Sequence, residues 1–252
     1  MDMKTIYLSP HLDDVVYSCG GWIWEQTQLG QEVEIWTICA GDVPPGSLSE
    51  LARSLHQSWQ LFENVVQIRR EEDQKACDCI GAIPKHLPFP DCIYRKDSRG
   101  EPYYQSGADI FAGLDAGEAD LIDQITAALA DLLPQEADLI VPLGIGNHVD
   151  HELTRKAATR LDRKLRYYAD YPYAREHDGQ EILRIMENSL EWTGEIFDIS
   201  EPGLERWWRG ARVYASQLST FWKDEAALRE EIEGFSAFLG GMKLWEAVEE
   251  VV

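Results

Sequence analysis

Seven residues in the middle of the chain, Ala137 to Leu143 (ADLIVPL), constrain its fold more than any other stretch. They are apolar almost without interruption and too few for a helix of ordinary length. Such a run reads as a strand buried on both faces, the pattern of a parallel sheet. A parallel sheet needs crossover connections, and the beginning of the chain supplies one. Lys4–Leu8 reads as a strand, Asp13–Gly21 as the corner, Trp22–Leu29 as a helix closed by Gly30, and Glu32–Ala40 as a second strand. This unit has about the length of a right-handed strand–helix–strand crossover.

The remaining segments continue the alternation. Helices are predicted over Ser49–Phe62, Arg69–Gly81 and Ala119–Leu133, the last with Leu121, Ile122, Ile125 and Leu129 at helical spacing. Asp150 is placed to cap a helix running through Leu161, and Trp207–Trp222 and Glu225–Leu239 read as two more. Leu87–Asp91 reads as a short strand or edge segment, and Leu165–Ala169 and Glu191–Asp198 as strands. Loops at Gly41–Leu48 and Arg95–Gly117 are expected beside the active-site cleft, the first positioned to cover it and the second to contact substrate. The fold class is therefore α/β; 252 residues suit one large domain or two small ones, and length alone does not choose.

Charge narrows the partners. With 23 Lys+Arg against 45 Asp+Glu, the formal net charge of -22 repels nucleic-acid phosphates and acidic membrane surfaces. No apolar run approaches the roughly 20 residues of a spanning helix. Five cysteines, an odd number, and no recognisable signal peptide predict a reducing, cytoplasmic setting. Cys77 and Cys79 stand too close together for a zinc knuckle, so all five are expected to be reduced thiols.

Two clusters of histidine and aspartate follow strands. Ser9-Pro10-His11-Leu12-Asp13-Asp14 ends the first strand, and His148-Val149-Asp150-His151 follows the central apolar run. Ligands of open α/β sheets bind outside the carboxyl ends of strands, so the two clusters can meet in one crevice. Catalytic zinc takes three protein ligands with water completing its shell. His11 and Asp14, three residues apart on a turn, can face one ion, and His151 can supply the third ligand. Asp13 then stays free to take a proton from the water, whose pKa zinc lowers to about 7. His148 faces the same cleft, where Asp150 is expected to hydrogen-bond it and favour the imidazolium. A charged imidazole there suits an oxyanion and a leaving amine. Asp-Asp after a strand is commonly no more than a turn with a helix cap; two such clusters at two strand ends are a far more specific pattern. His56, His86 and His177 lack such company and read as surface or packing residues.

At these residues the chain resembles the PIG-L/LmbE-like family of zinc-dependent de-N-acetylases. The family's His-Pro-Asp-Asp-Glu element and Gly-Gly pair stand here as His11-Leu12-Asp13-Asp14-Val15 and Gly20-Gly21, and its later His-x-Asp-His as His148 to His151. A middle Arg-x-x-Glu motif is matched by Arg69, Glu72, Ala76 and Gly81, and a strand ending in aspartate by Leu87 to Asp91. The resemblance spans residues 4–170 and implies a Rossmann-like, mostly parallel sheet flanked by helices, in a single domain over residues 1–252 with the helices from about position 204 packed on it. It also implies zinc on His11, Asp14 and His151, Asp13 as general base, and His148 as the oxyanion residue oriented by Asp150. The implied reaction is hydrolysis of the N-acetyl amide of an N-acetylglucosaminyl conjugate. Iron(II) or manganese fit the same ligands.

Carried over in the same way, Arg69 and Asp91 bind the polar sugar, although Arg69 and Glu72 also have the spacing of a helical ion pair. Trp22, Trp24, Tyr103 or Tyr104 can stack on a sugar ring, although packing is the expected role for most of them. The chain departs from the family pattern at Leu12, in place of proline, and at Val15, in place of an acidic residue. Two other readings stay open: an amidase for a larger acyl or thiol-conjugate amide, and a catalytically silent sugar-binding protein supported by Val15 alone. The sequence allows a homo-oligomer.

Overall fold

Residues 4–176 and 191–248 are described by the structure, a computed structural model. His177 lies outside the described residues. Seven strands form one sheet: β1 (Thr5–Ser9), β2 (Val33–Thr37), β3 (Ile83–His86), β4 (Asp138–Pro142), β5 (Leu165–Tyr168), β6 (Glu191–Phe197) and β7 (Met242–Val248). Their spatial order is β3-β2-β1-β4-β5-β7-β6. The first five run parallel, whereas β7 is antiparallel to both β5 and β6. Every residue of β1 and all but the first of β4 are buried, as expected of strands covered on both faces. From β1 the chain steps outward to β2 and β3; from β4 it steps the other way to β5. The crevice at that switch point lies above the carboxyl ends of β1 and β4, where sheets of this kind bind ligands.

The helices are α1 (Asp14–Gln28), α2 (Glu50–Ser58), α3 (Val65–Ile80), α4 (Ala119–Leu132), α5 (Val149–Thr159), the single turn α6 (Tyr173–Glu176), α7 (Glu201–Ala211), α8 (Ala215–Phe221) and α9 (Glu225–Leu239). Among the described residues, no helix is long and apolar enough to cross a membrane. All five cysteines are free thiols.

Several elements differ from the sequence expectations, each for a physical reason. Helix α1 begins at Asp14 instead of Trp22, because Val15, Val16, Cys19 and Ile23 form a continuous apolar stripe that is completely or almost completely buried. The glycine pair faces another helix. A Cβ at Gly20 would stand 2.7 Å, and one at Gly21 2.9 Å, from the Trp207 ring. The two glycines thus make the groove into which α7 drops Trp207, whose indole N–H donates to the Tyr17 carbonyl at 3.1 Å.

Leu87–Asp91 forms no strand. Pro88 and Pro90 lack the N–H groups a ladder needs, so β3 lies earlier, with only a bridge from Cys39 to Pro88 beyond it. The helix expected over Trp207–Trp222 breaks between α7 and α8, where the buried Tyr214 donates its hydroxyl to Asp73 at 2.7 Å. Strand β7 was not anticipated, since Lys243 and Glu246 interrupt its apolar residues. The aromatic residues named as stacking candidates pack or bond elsewhere: Trp22 stacks on Phe197 at 4.3 Å, Trp24 packs on the main core, and Tyr103 and Tyr104 donate to the Gly117 carbonyl and Glu118.

Candidate active site

The turn after β1 makes one half of the site. His11 donates its backbone N–H to the Asp14 carboxylate at 2.8 Å, and its ring Nδ1 lies 3.1 Å from the same oxygen. Asp13 occupies the N-cap position of α1 in an extended conformation (φ -169°), yet its side chain makes no capping bond. The Asp-Asp pair is therefore more than a helix start: one carboxylate is tied to an imidazole and the other is left free. Val15 is fully buried in the main core, and its amide donates to the Ser9 hydroxyl at 3.2 Å. A carboxylate in its place would enter an apolar layer.

The loop after β4 makes the other half. His148, not Asp150, is the N-cap of α5: its Nδ1 accepts the Asp150 backbone N–H at 3.2 Å. The Asp150 carboxylate does not reach His148. One oxygen lies 2.9 Å from His11 Nε2 and accepts from Cys92 N at 2.9 Å, while the other accepts from Arg95. Burial and the neighbouring His11 and His151 hold His148 well below the usual imidazole range, so the expected imidazolium is replaced by a neutral ring. With Nδ1 spent as an acceptor, the proton of that ring sits on Nε2.

The two halves meet. Nitrogens of His11, His148 and His151 all lie within 4.8 Å of one another, with ring centroids 4.8 to 5.6 Å apart. His151 Nε2 stands 3.3 Å from the second oxygen of Asp14 and has no hydrogen-bond partner although it is fully buried. A buried imidazole nitrogen without a partner, beside a carboxylate and a second imidazole, fits a divalent cation. Two donor sets share these atoms: the three imidazoles, or His11, Asp14 and His151. The second fits better, because Asp14 touches both flanking imidazoles while His148 is engaged as a helix cap.

Charges are arranged accordingly. Burial opposes ionisation of Asp14, but His151 and His11 overcome it and hold its carboxyl well below the usual range. Burial also opposes protonation of His151, yet the charge of Asp14 and the charge and hydrogen bond of Asp170 lift it to about 9. Asp13 goes the other way: burial and the charge of Asp14, against Arg69 and His11, raise it to about 7. Two adjacent aspartates thus titrate far apart, the signature of separate roles.

Arg69 and Asp91 form a polar wall. Arg69 reaches Asp13 at 3.6 Å and Asp91 at 3.7 Å, and its guanidinium lies over Trp59 at 4.9 Å. It does not pair with Glu72, which instead accepts from the backbone N–H and hydroxyl of Ser216. The buried Nε of Arg69 has no partner. Sequence reasoning missed two residues. Asp170, beyond β5, accepts from His151 Nδ1 at 2.6 Å and from the amides of Gly144 and Ile145 at 2.7 and 3.0 Å. Arg95 bonds Asp150 on one side and Glu118 on the other, at 2.5 and 3.0 Å. Asp170 is a lone charge at the end of an apolar run and Arg95 opens a charged stretch, Arg95-Lys96-Asp97; neither stands in a motif that would have pointed to it. A groove of about 680 Å³ lies between the Val43–Ser49 loop and residues 88–96, and Arg95 lines it whereas the three histidines do not.

An open α/β sheet thus carries a buried His/Asp cluster of metal-ligand type at its switch point. The sequence profile of the PIG-L family, described as GlcNAc-PI de-N-acetylase, matches residues 6–161, and the chain belongs to that family. It is 32% identical over 212 residues to the 2'-N-acetylparomamine deacetylase of Niallia circulans, covering 76% of this chain and 74% of that one. To the 2'-N-acetylparomamine deacetylase of Streptomyces fradiae it is 30% identical over 236 residues, 91% of this chain and 77% of the other. The zinc-inhibited form of the teicoplanin deacetylase Orf2 shares the fold with a TM-score of 0.80 at 23% identity, over 99% of this chain and 100% of that one. Family and relatives make this chain an N-deacetylase of the amide-hydrolase class.

Proposed function

We propose that this protein hydrolyses the N-acetyl amide of an N-acetylglucosaminyl conjugate of the aminoglycoside kind, with zinc held by His11, Asp14 and His151. The observation that carries this reading is the convergence of both His/Asp segments on one point, with the His151 Nε2 unpaired there. Identity of 30% or more to two 2'-N-acetylparomamine deacetylases supports the substrate class.

Bound on those three side chains, zinc would act as a Lewis acid on the attacking water and the amide carbonyl. The protein's own groups supply the rest. Asp13, with its carboxyl at about 7, accepts the water's proton near neutrality. His148 carries its proton on Nε2 and donates it as a hydrogen bond to the developing oxyanion; a neutral imidazole suffices for this when a helix N-terminus sets its tautomer. Asp13 then returns its proton to the leaving amine. Arg69 and Asp91 hold the sugar hydroxyls, and the unpaired Arg69 Nε is a donor available for one of them. Asp150 and Asp170 orient His11 and His151 from outside, each accepting or sharing the ring proton opposite the reacting side.

The test is metal analysis of the purified protein combined with acetate release from 2'-N-acetylparomamine and N-acetylglucosamine. Bound zinc and acetate as the product are expected. A zinc-loaded protein that releases no acetate, or releases a different acid from a wider amide panel, overturns the reading.

A further inference from the structure

Two of the large apolar side chains left exposed by the fold meet at a tyrosine that packs on the catalytic cluster. Phe111 is 41% and Phe221 36% exposed, on elements more than a hundred residues apart in sequence. Each meets the half-buried Tyr173, at ring distances of 5.8 and 6.4 Å. Tyr173 packs in turn against His151 at 5.5 Å, and Phe111 against His148 at 5.2 Å. The three rings form a continuous arc along one side of the histidines. Its geometry is built in: Gly146 adopts φ +84°, and a Cβ there would stand 2.8 Å from Tyr173, so the loop yields to the ring.

We infer that this arc is a specificity platform for the part of the conjugate beyond the acylated sugar, an inference that rests on the proposed function. Exposure decides which part. His148 and His151 are buried, so the reacting amide sits deep, whereas Phe111 and Phe221 lie at the mouth and meet what protrudes. Exposed aromatic rings grouped at a cleft mark a recognition surface. Their faces take the C–H face of a saturated ring and attract an ammonium group. The arc therefore selects an aminated carbocyclic or sugar unit as the aglycone, with Arg69 and Asp91 on a separate polar wall for the hydroxylated sugar.

Phe111→Ala and Phe221→Ala decide it, assayed on 2'-N-acetylparomamine and on free N-acetylglucosamine, with Phe111→Tyr as the ring-retaining control. Each alanine variant should raise KM for the conjugate about tenfold with kcat unchanged, and leave the monosaccharide within about twofold. Phe111→Tyr should restore the conjugate. Equal losses on both substrates, or none on either, overturn the platform. Calorimetric titration with paromamine, the deacetylated conjugate, separates the two readings. If the wild-type protein releases no acetate, the functional reading fails, yet weaker paromamine binding by both alanine variants still supports the arc and unchanged binding overturns it.

Discussion

Asp13 and Asp14 are neighbours in sequence with opposite electrostatic fates, and the difference is testable at the level of one atom. Asp13→Asn keeps the shape and removes the base proposed here, so kcat should fall by about 10²–10⁴-fold with substrate affinity retained. The same substitution has a stability consequence in metal-free protein. The native carboxyl is raised to about 7 from the ordinary 3.8, so the native state holds a proton that the unfolded chain has already released. Wild-type stability is therefore lost as pH rises between those two values and the deficit is complete above 7. Chelator-treated Asp13→Asn should melt above the chelator-treated wild type at pH 8, with the gap closing towards pH 4. Asp170 makes a complementary case. It touches no cleft atom, but it fixes the His151 tautomer through Nδ1. Asp170→Asn should weaken metal binding by about 10–100-fold in a chelator competition, with the remaining activity restored by excess metal.

The elements show what the sequence could and could not reveal. The His11–Asp14 and His148–His151 segments were legible because each packs several ligand-type residues into one turn after a strand. Their joint convergence follows from parallel topology alone. Asp170 and Arg95 were illegible because a single charge carries no pattern; their partners come from segments 19 and 55 residues away. What Gly20 and Gly21 make room for was illegible, since Trp207 lies far along the chain. The start of α1 was misread because glycines and a cysteine interrupt its propensity, and burial of Val15 to Ile23 overrides them. The Trp207 groove gives this scale its prediction. Gly21→Ala drives a methyl to within 2.9 Å of the indole, so α7 must shift. Urea unfolding should show a loss of about 1–3 kcal/mol, typical of overpacking. An unchanged midpoint would mean that α7 is not seated as described.

For the whole molecule the dominant quantity is charge. A formal net charge of -22 is too large to be local design, and the described salt bridges leave most of the acidic surface solvated. Such a surface destabilises the compact state by self-repulsion, but it also raises the local concentration of cations and speeds their capture. A deacetylase for aminated conjugates would gain from this twice over, since both substrate and product carry ammonium groups. Steering of this kind is screened as the Debye length falls from about 8 Å at physiological salt to about 3 Å at 1 M. For 2'-N-acetylparomamine, kcat/KM should therefore fall about tenfold from low salt to about 0.5 M, mostly through KM, whereas uncharged N-acetylglucosamine should change less than about twofold. The comparison must be made between the two substrates in the same buffers, because salt acts on protein stability and metal affinity equally for both. A slope common to both substrates would remove charge from the account of recognition and leave the aromatic arc and the Arg69–Asp91 wall to carry selectivity through contact alone.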